Sequence, residues 1–215
     1  MIGLNLLSNA LNESDREGRF YGVTIAEVTN NQDEEGLGRV KVKFPWLSDT
    51  DESFWARILT PMTGKEYGMY FLPEVGDEVL VAFEHGMIEF PYILGGLWNG
   101  KDKPPDTNSD GKNNKRIIKS RSGNIIRLDD TEGEEKIEII DKSGKNSIVI
   151  STKDNNITIA ADADITIQSS NGKLKLSGKG IEIDSQAEVK ITASQNMDLK
   201  AGPQLNIKGN IVNIN

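Results

Sequence analysis

The chain has 215 residues, no cysteine and a formal net charge of -8 at pH 7. The missing cysteines exclude disulfide bonds, thiolate metal ligands and a cysteine nucleophile, so packing alone must stabilise the fold. All thirteen aromatic residues lie between Phe20 and Trp98. Residues 1–100 carry seven basic and sixteen acidic residues, against eighteen and seventeen in residues 101–215. The composition therefore predicts two physically different parts.

The first seventeen residues form a short apolar segment with a polar end. The segment lacks the basic region of a signal peptide, and no run of eighteen apolar residues occurs in the chain. We therefore expect a protein that is made in the cytoplasm without a signal peptide and has no membrane-spanning helix.

Five β-rich runs follow, each bounded by Gly, Pro, Asn or Asp. They cover residues 20–28, 38–44, 54–59, 78–83 and 92–98. The clearest two-residue alternation places Val40, Val42 and Phe44 on one face of a strand and charged residues on the other. Five short strands without a helix between them predict a five-stranded antiparallel barrel of the OB type over residues 18–100.

The charge of this region argues against the commonest function of such barrels. Oligonucleotide binding needs basic residues that neutralise phosphates, whereas acidic residues dominate residues 1–100. We expect no nucleic-acid partner and interpret the aromatic residues as core. The single histidine, His85, supports neither a His-based metal site nor a Ser-His-Asp triad. The carboxylate-rich segment 29–37 lacks EF-hand spacing. We therefore expect no enzyme, cofactor or metal.

A polar linker, residues 101–115, separates the barrel from a repetitive region. From Ile148 to the end, a pair of aliphatic residues two positions apart returns about every eight residues. Alternate residues share one face of a strand, and turn-forming polar residues separate the pairs. A unit of this size cannot cover its own apolar face. The repeat therefore predicts a β rod whose apolar face is covered by other chains.

Four blocks of the barrel region resemble the OB domain of the central-spike family of contractile injection machines, the phage baseplate assembly protein V and VgrG group. The blocks are GRVKVKFPW at residues 38–46, WAR at 55–57, PEVGDEVLV at 73–81 and GGLWN at 95–99. Residues 121–136 resemble the segment that opens the spike β-helix of the same family. The resemblance covers residues 18–150 by motif and the remainder by repeat architecture.

The resemblance implies an all-β protein, in which the OB barrel precedes a triple-stranded β-helix formed by a homotrimer over residues 116–215. Three chains would wind around one axis, and the lack of aromatic residues fits the narrow space there. The trimer core implied by the repeat comprises Ile148, Ile150, Ile157, Ile159, Ile165, Ile167, Leu174, Leu176, Ile181, Ile183, Val189, Ile191, Leu199, Leu205 and Ile207.

The resemblance implies a contact with a partner protein at each end of the chain. The large domain that precedes the barrel in VgrG proteins has no room before the first strand, so a separate hub protein is expected. Leu4, Leu6, Leu7 and Leu11, in residues 1–17, would contact this hub as a short helix or as a segment that orders on binding. The final pair, Val212 and Ile214, would contact a PAAR-type tip protein, with a frayed terminus as the alternative.

The expected function is a structural central spike of a phage tail, tailocin or related particle. Such a needle transmits the force of sheath contraction and contacts the target membrane transiently during puncture. One alternative is a trimeric tail-fibre adhesin. Another is a polysaccharide-degrading β-helix enzyme, with acid/base pairs such as Asp129 and Asp130 or Asp162 and Asp164. The uniform repeats and short turns favour the spike. We expect the protein in a virion or injection-particle baseplate.

Overall fold

The computed structural model describes residues 18–47 and 51–214, and these form two units that divide between Asp162 and Ala163. In the first unit, strands β1 to β7 belong to the barrel region and strands β8 to β12 form a separate sheet. The strands are β1 (Val23–Asn30), β2 (Lys41–Lys43), β3 (Arg57–Ile58), β4 (Thr63–Gly64), β5 (Tyr67–Gly68), β6 (Glu78–Phe83), β7 (Pro91–Gly96), β8 (Lys115–Lys119), β9 (Ile125–Asp129), β10 (Lys136–Ile140), β11 (Ser147–Ser151) and β12 (Asn156–Ala160).

The barrel is a five-stranded sheet in the order β2-β1-β6-β7-β3. Isolated bridges from Val40 to Ala56 and from Lys43 to Glu52 connect its two edges. Strand β3 pairs with β7 in parallel, which differs from the fully antiparallel barrel expected from the sequence. A hairpin would make the two strands antiparallel. The long connection from residue 59 to residue 90 instead allows β7 to run beside β3 in the same direction.

The barrel core consists of small and branched side chains from alternate strand positions. Val40, Val42 and Phe44 are buried, which confirms the alternation predicted for this strand. They pack with residues of β1, β6 and β7 to form one cluster. Its members are Ala26, Val28, Val40, Val42, Phe44, Ala56, Val79, Val81, Phe83 and Ile93.

A two-stranded hairpin, β4–β5, lies between β3 and β6 in the chain. It was not predicted from the sequence. Its register pairs Thr63 with Gly68 and Gly64 with Tyr67. Gly68 has a φ of 148°, and a Cβ there would lie 2.6 Å from the carbonyl oxygen of Met62. The Tyr67 ring occupies the space where Gly64 would carry a Cβ. Position 68 therefore needs glycine, whereas a side chain at position 64 would require the exposed Tyr67 ring to move.

The loop between β1 and β2 is organised around the carboxylate of Asp33. Arg39 donates from Nε to Oδ2 and from Nη2 to Oδ1, each at 2.8 Å. The backbone N–H groups of Glu35, Leu37 and Arg39 also donate to this carboxylate. The Arg39 guanidinium and these amides hold the pKa of Asp33 well below its usual range, against a smaller opposing effect of burial. The ion pair also raises the pKa of Arg39.

We expect Asp33→Asn to destabilise the barrel and to weaken its acid sensitivity. Because the folded-state pKa of Asp33 is depressed, its contribution is present above the unfolded-state pKa of about 4 and disappears as the pH falls through the folded-state pKa. Thermal unfolding between about pH 2 and pH 7 should show a smaller loss of Tm in the variant than in the wild type. Glu35→Gln, which changes an exposed partner of Arg39, is the matched control. Equal acid slopes in Asp33→Asn and wild type would contradict this interpretation.

Strands β8 to β12 form a second sheet, an antiparallel meander in the order β12-β11-β10-β9-β8. Short polar turns join the strands. In the β10–β11 turn, the carboxylate of Asp141 accepts bonds from the Ser143 hydroxyl and from the backbone and side chain of Asn146. The Ser143 bond, above all, lowers the pKa of Asp141. These local bonds favour consecutive hairpins within one chain.

The second unit, residues 163–214, contains neither helix nor strand, and its aliphatic side chains are exposed. In both units, across residues 18–47 and 51–214, no helix has the length and apolarity needed to cross a bilayer.

Candidate assembly face

One face of the β8–β12 sheet is lined by aliphatic side chains in register. Successive residues in a strand point to opposite sides, so facing pairs continue from strand to strand. On this face Ile139 lies opposite both Ile126 and Ile148, and Ile148 also lies opposite Ile159. We call the set the aliphatic face. It comprises Ile118, Ile126, Leu128, Ile137, Ile139, Ile148, Ile150, Ile157 and Ile159.

Every side chain of the aliphatic face is exposed in the single chain, from 40% at Ile148 to 67% at Ile157. A groove of about 540 Å³ runs over the face, with Ile118, Ile139 and Ile159 among its lining residues. Burial of apolar area stabilises by roughly 25 cal/mol per Å². Contiguous exposed apolar surface of this kind marks a site of association. The geometry therefore suits contact with another protein surface.

The opposite face of the same sheet carries aliphatic side chains, such as Ile117 and Val149, together with an ionic cluster centred on Glu138. Arg127 donates from Nε at 2.6 Å to Oε2 of Glu138, and its Nη2 lies 2.5 Å from the same oxygen. Lys136 Nζ lies 3.2 Å from Oε1. Glu138 is buried, so two cations compensate one desolvated carboxylate. This ionic cluster is thus paired within the chain, and the most exposed aliphatic side chains of the sheet are those of the aliphatic face.

Asp129 and the end of the linker add further polar contacts to the sheet. The Thr131 hydroxyl donates to Asp129 Oδ1 at 2.6 Å and lowers the pKa of Asp129, while burial raises it to a smaller extent. Asp106 in the linker pairs with Lys115 Nζ at 3.0 Å. The backbone N–H of Asp130 donates to the carbonyl oxygen of Asn114 at 2.8 Å. These contacts fix residues 106–115 beside β8 and β9.

One ion pair connects the sheet with the barrel. Arg121, in the β8–β9 turn, donates from Nη1 to Oε2 of Glu74 at 2.9 Å. Both side chains are exposed, so the pair contributes at most about 1 kcal/mol.

The residues expected to form a trimer core fall into two groups in the structure. Ile148, Ile150, Ile157 and Ile159 lie together on the aliphatic face. The others lie in the second unit, where their side chains are exposed and no strand pairs them. They are Ile165, Ile167, Leu174, Leu176, Ile181, Ile183, Val189, Ile191, Leu199, Leu205 and Ile207.

The structure describes the residues expected to contact a partner at only one of the two ends of the chain. Val212 and Ile214 belong to the second unit and are exposed. Residues 1–17, which include Leu4, Leu6, Leu7 and Leu11, lie outside the described residues.

Sequence reasoning missed the first half of the aliphatic face, because the repeat was counted only from Ile148. Ile126 and Leu128 form the same kind of pair, as do Ile137 and Ile139, at a spacing of eleven residues. A search for the pair at a longer period would have found them.

In residues 18–47 and 51–214, no three His, Asp or Glu side chains are grouped so that they could hold a metal ion.

Residues 24–98 match the family model described as the type VI secretion system/phage-baseplate injector OB domain. The chain is 33% identical over 129 residues to the type VI secretion system spike protein VgrG3 of Vibrio cholerae, a match to 54% of this chain and 13% of that protein. It is 32% identical over 133 residues to the spike protein VgrG5 of Pseudomonas aeruginosa, covering 55% and 17% of the two chains. The actin cross-linking toxin VgrG1 of Vibrio cholerae is 30% identical over 139 residues, covering 60% and 12%.

The chain therefore spans between 12% and 17% of the length of these three relatives. The matches confirm the resemblance carried by the four barrel blocks, and the all-β model agrees with the OB-domain assignment. Residues 24–98 are thus similar to the injector OB domain of type VI secretion systems and phage baseplates, and the chain resembles VgrG-type spike proteins over slightly more than half of its length.

Proposed function

We propose that this chain is the structural central spike of a contractile injection machine and acts as a homotrimer. The observation that carries the proposal is the aliphatic face, an exposed apolar sheet surface that follows an injector OB domain. As a spike, the chain would transmit the force of sheath contraction and contact the target membrane during puncture. This function requires no catalytic group.

A trimer explains how the aliphatic face becomes covered. Three copies that turn this face toward a common axis would enclose all three apolar surfaces and leave the opposite face of each sheet, with its ionic cluster, outside. Apart from Arg116, which lies opposite Leu128, the side chains of the face are aliphatic, and no aromatic residue follows Trp98. Branched aliphatic side chains also favour extended backbone. These features support an axis built from Ile, Leu and Val.

We extend the proposal to the second unit, residues 163–214. Its aliphatic pairs stay exposed within one chain, so neighbouring copies would supply the strands that cover them. We propose the domain boundaries expected from the sequence: barrel 18–100, linker 101–115 and trimeric β-helix 116–215. The buried axis would hold the fifteen core residues from Ile148 to Ile207 named above. A folded single copy of this region would then be unstable without its partners.

The proposed partners lie at the two ends of the spike. A separate hub would bind the N-terminal side through Leu4, Leu6, Leu7 and Leu11. A PAAR-type tip protein would bind the other end. If this arrangement is right, the tagged full chain co-purifies from its native particle with a hub and with a PAAR-type protein. Recovery of the chain in an assembly without baseplate proteins would overturn the proposal.

The tip contact can be tested by substitutions in adjacent positions. Val212→Asp combined with Ile214→Asp should abolish co-purification with a co-expressed PAAR-type protein, because charge replaces the apolar contact. Asn213→Asp adds a charge between these positions without removing an aliphatic side chain, so it should retain binding. Trimer mass should stay unchanged in both variants. Equal capture of the tip protein by the double variant and wild type would show that these residues are not the contact.

A further inference from the structure

A second apolar surface surrounds a groove at one end of the barrel. We call it the mouth patch and define it by Trp46, Leu47, Phe54 and Ile88, whose side chains are 36% to 64% exposed. The groove measures about 160 Å³, and Phe44 and Phe83 also line it. A cavity near 150 Å³ can hold a group the size of benzene. The mouth patch therefore has room for an aliphatic side chain from a docked segment.

The chain enters the barrel at the mouth patch. The Phe20 ring stacks on Trp46, with centroids 5.3 Å apart and an interplanar angle of 17°. The Phe20 N–H donates to the carbonyl oxygen of Gly86 at 2.8 Å, and Arg19 Nη1 donates to that of His85 at 3.3 Å. Gly18, two residues before Phe20, therefore lies within about 7 Å of Phe20. The seventeen residues before Gly18 start beside this surface.

The composition of residues 1–17 suits the mouth patch. Residues 1–12 contain five Leu and Ile and carry no charged side chain. Acidic residues also line the groove, and an uncharged segment would not be repelled by them. Asp51, Glu52 and Glu89 are these acidic residues. The polar segment 12–17 could then serve as a spacer between residues 1–11 and the barrel. Leu11 is seven residues from Gly18 and can reach about 23 Å, enough to return to the groove.

We propose that residues 4–11 of the same chain dock on the mouth patch and place a leucine side chain in its groove. Covalent connection favours this occupant over a second copy, since a short tether gives an effective concentration in the millimolar range. A hub protein would then meet the segment and the barrel mouth as one combined surface. This inference concerns docking within one chain and does not depend on the trimer.

The absence of cysteine allows a direct cross-linking test in the full chain. In Leu7→Cys/Ile88→Cys, mild oxidation should form a disulfide within one chain, detected by mass and by non-reducing electrophoresis. Leu7→Cys/Tyr70→Cys is the control for random collision, since Tyr70 is exposed on a different groove beside the β4–β5 hairpin. Adding Leu4→Asp and Leu11→Asp to the first pair should slow its cross-linking about tenfold, which corresponds to a loss of about 1.4 kcal/mol of docking free energy.

A second measurement uses no introduced cysteine. Leu4→Asp/Leu11→Asp should increase hydrogen exchange of residues 44–47 and 87–90 relative to the wild type, with exchange in β8–β12 unchanged. Disulfides between chains would overturn the proposal in favour of a second copy. Equal cross-linking of position 7 to positions 88 and 70 would overturn it in favour of an undocked segment. So would hydrogen exchange of residues 44–47 and 87–90 that is the same in Leu4→Asp/Leu11→Asp and in the wild type. None of these outcomes determines the mass of the assembly in solution, so the proposed function is tested separately.

Discussion

Ile159→Asp should dissociate the protein into single chains, whereas Thr158→Asp should leave its assembly unchanged. The two residues are neighbours on β12 and point to opposite faces of the sheet. A carboxyl group on the aliphatic face would become buried at the trimer axis without a cationic partner. If burial raises its pKa by about three units, the cost at neutral pH is roughly 4 kcal/mol per chain and 12 kcal/mol per trimer.

Sedimentation at several protein concentrations measures the effect. Ile159→Asp should sediment near 24 kDa at concentrations where Thr158→Asp stays near three times 23.7 kDa. The three introduced carboxyl groups repel one another only when they are ionised. Lowering the pH below their raised pKa should therefore partly restore the trimer. If both variants assemble as the wild type does, the aliphatic face does not form the interface. If Thr158→Asp alone dissociates, the opposite face does.

Arg127→Met should lower the free energy of unfolding by about 2–3 kcal/mol, because it leaves the buried Glu138 with only Lys136. Arg121→Met is the matched control. Arg121 forms an ion pair of similar length with Glu74, at 2.9 Å, but both side chains are exposed and Arg121 lies in a turn outside the aliphatic face. Its removal should cost less than about 1 kcal/mol.

Urea unfolding of both variants at one fixed protein concentration gives the comparison, since stability of an oligomer depends on concentration. Similar losses for Arg127→Met and Arg121→Met would show that burial does not strengthen the Glu138 pair. A combined Arg127→Met/Glu138→Leu variant should recover most of the loss, because it removes the unpaired charge together with its partner.

The barrel core could be predicted because its alternation is simple. Val40, Val42 and Phe44 occupy every second position, with charged residues between them, and all three are buried. The β4–β5 hairpin could not be predicted in this way, because its two-residue strands are too short to show a period. The parallel pairing of β3 with β7 is likewise set by the path of the chain between them, which local propensity does not encode.

The aliphatic face was only half predicted, and doubled isoleucines explain the omission. Ile117 precedes Ile118 and Ile125 precedes Ile126, so aliphatic side chains point to both faces and obscure the two-residue period. In β11 and β12 the pattern is easier to find because the two-apart pairs recur at a shorter spacing. In residues 163–214 the pairs are equally clear, yet the structure forms no strand from them. Alternation identifies the apolar face of a strand but not the chain that covers it.

The mass of the full chain in solution tests the central claim most directly. Sedimentation equilibrium should give about 71 kDa, three times the 23.7 kDa of one chain, over a wide range of protein concentration. A mass that stays at 23.7 kDa would contradict the trimeric spike, because the aliphatic face would then remain exposed to water in the native protein.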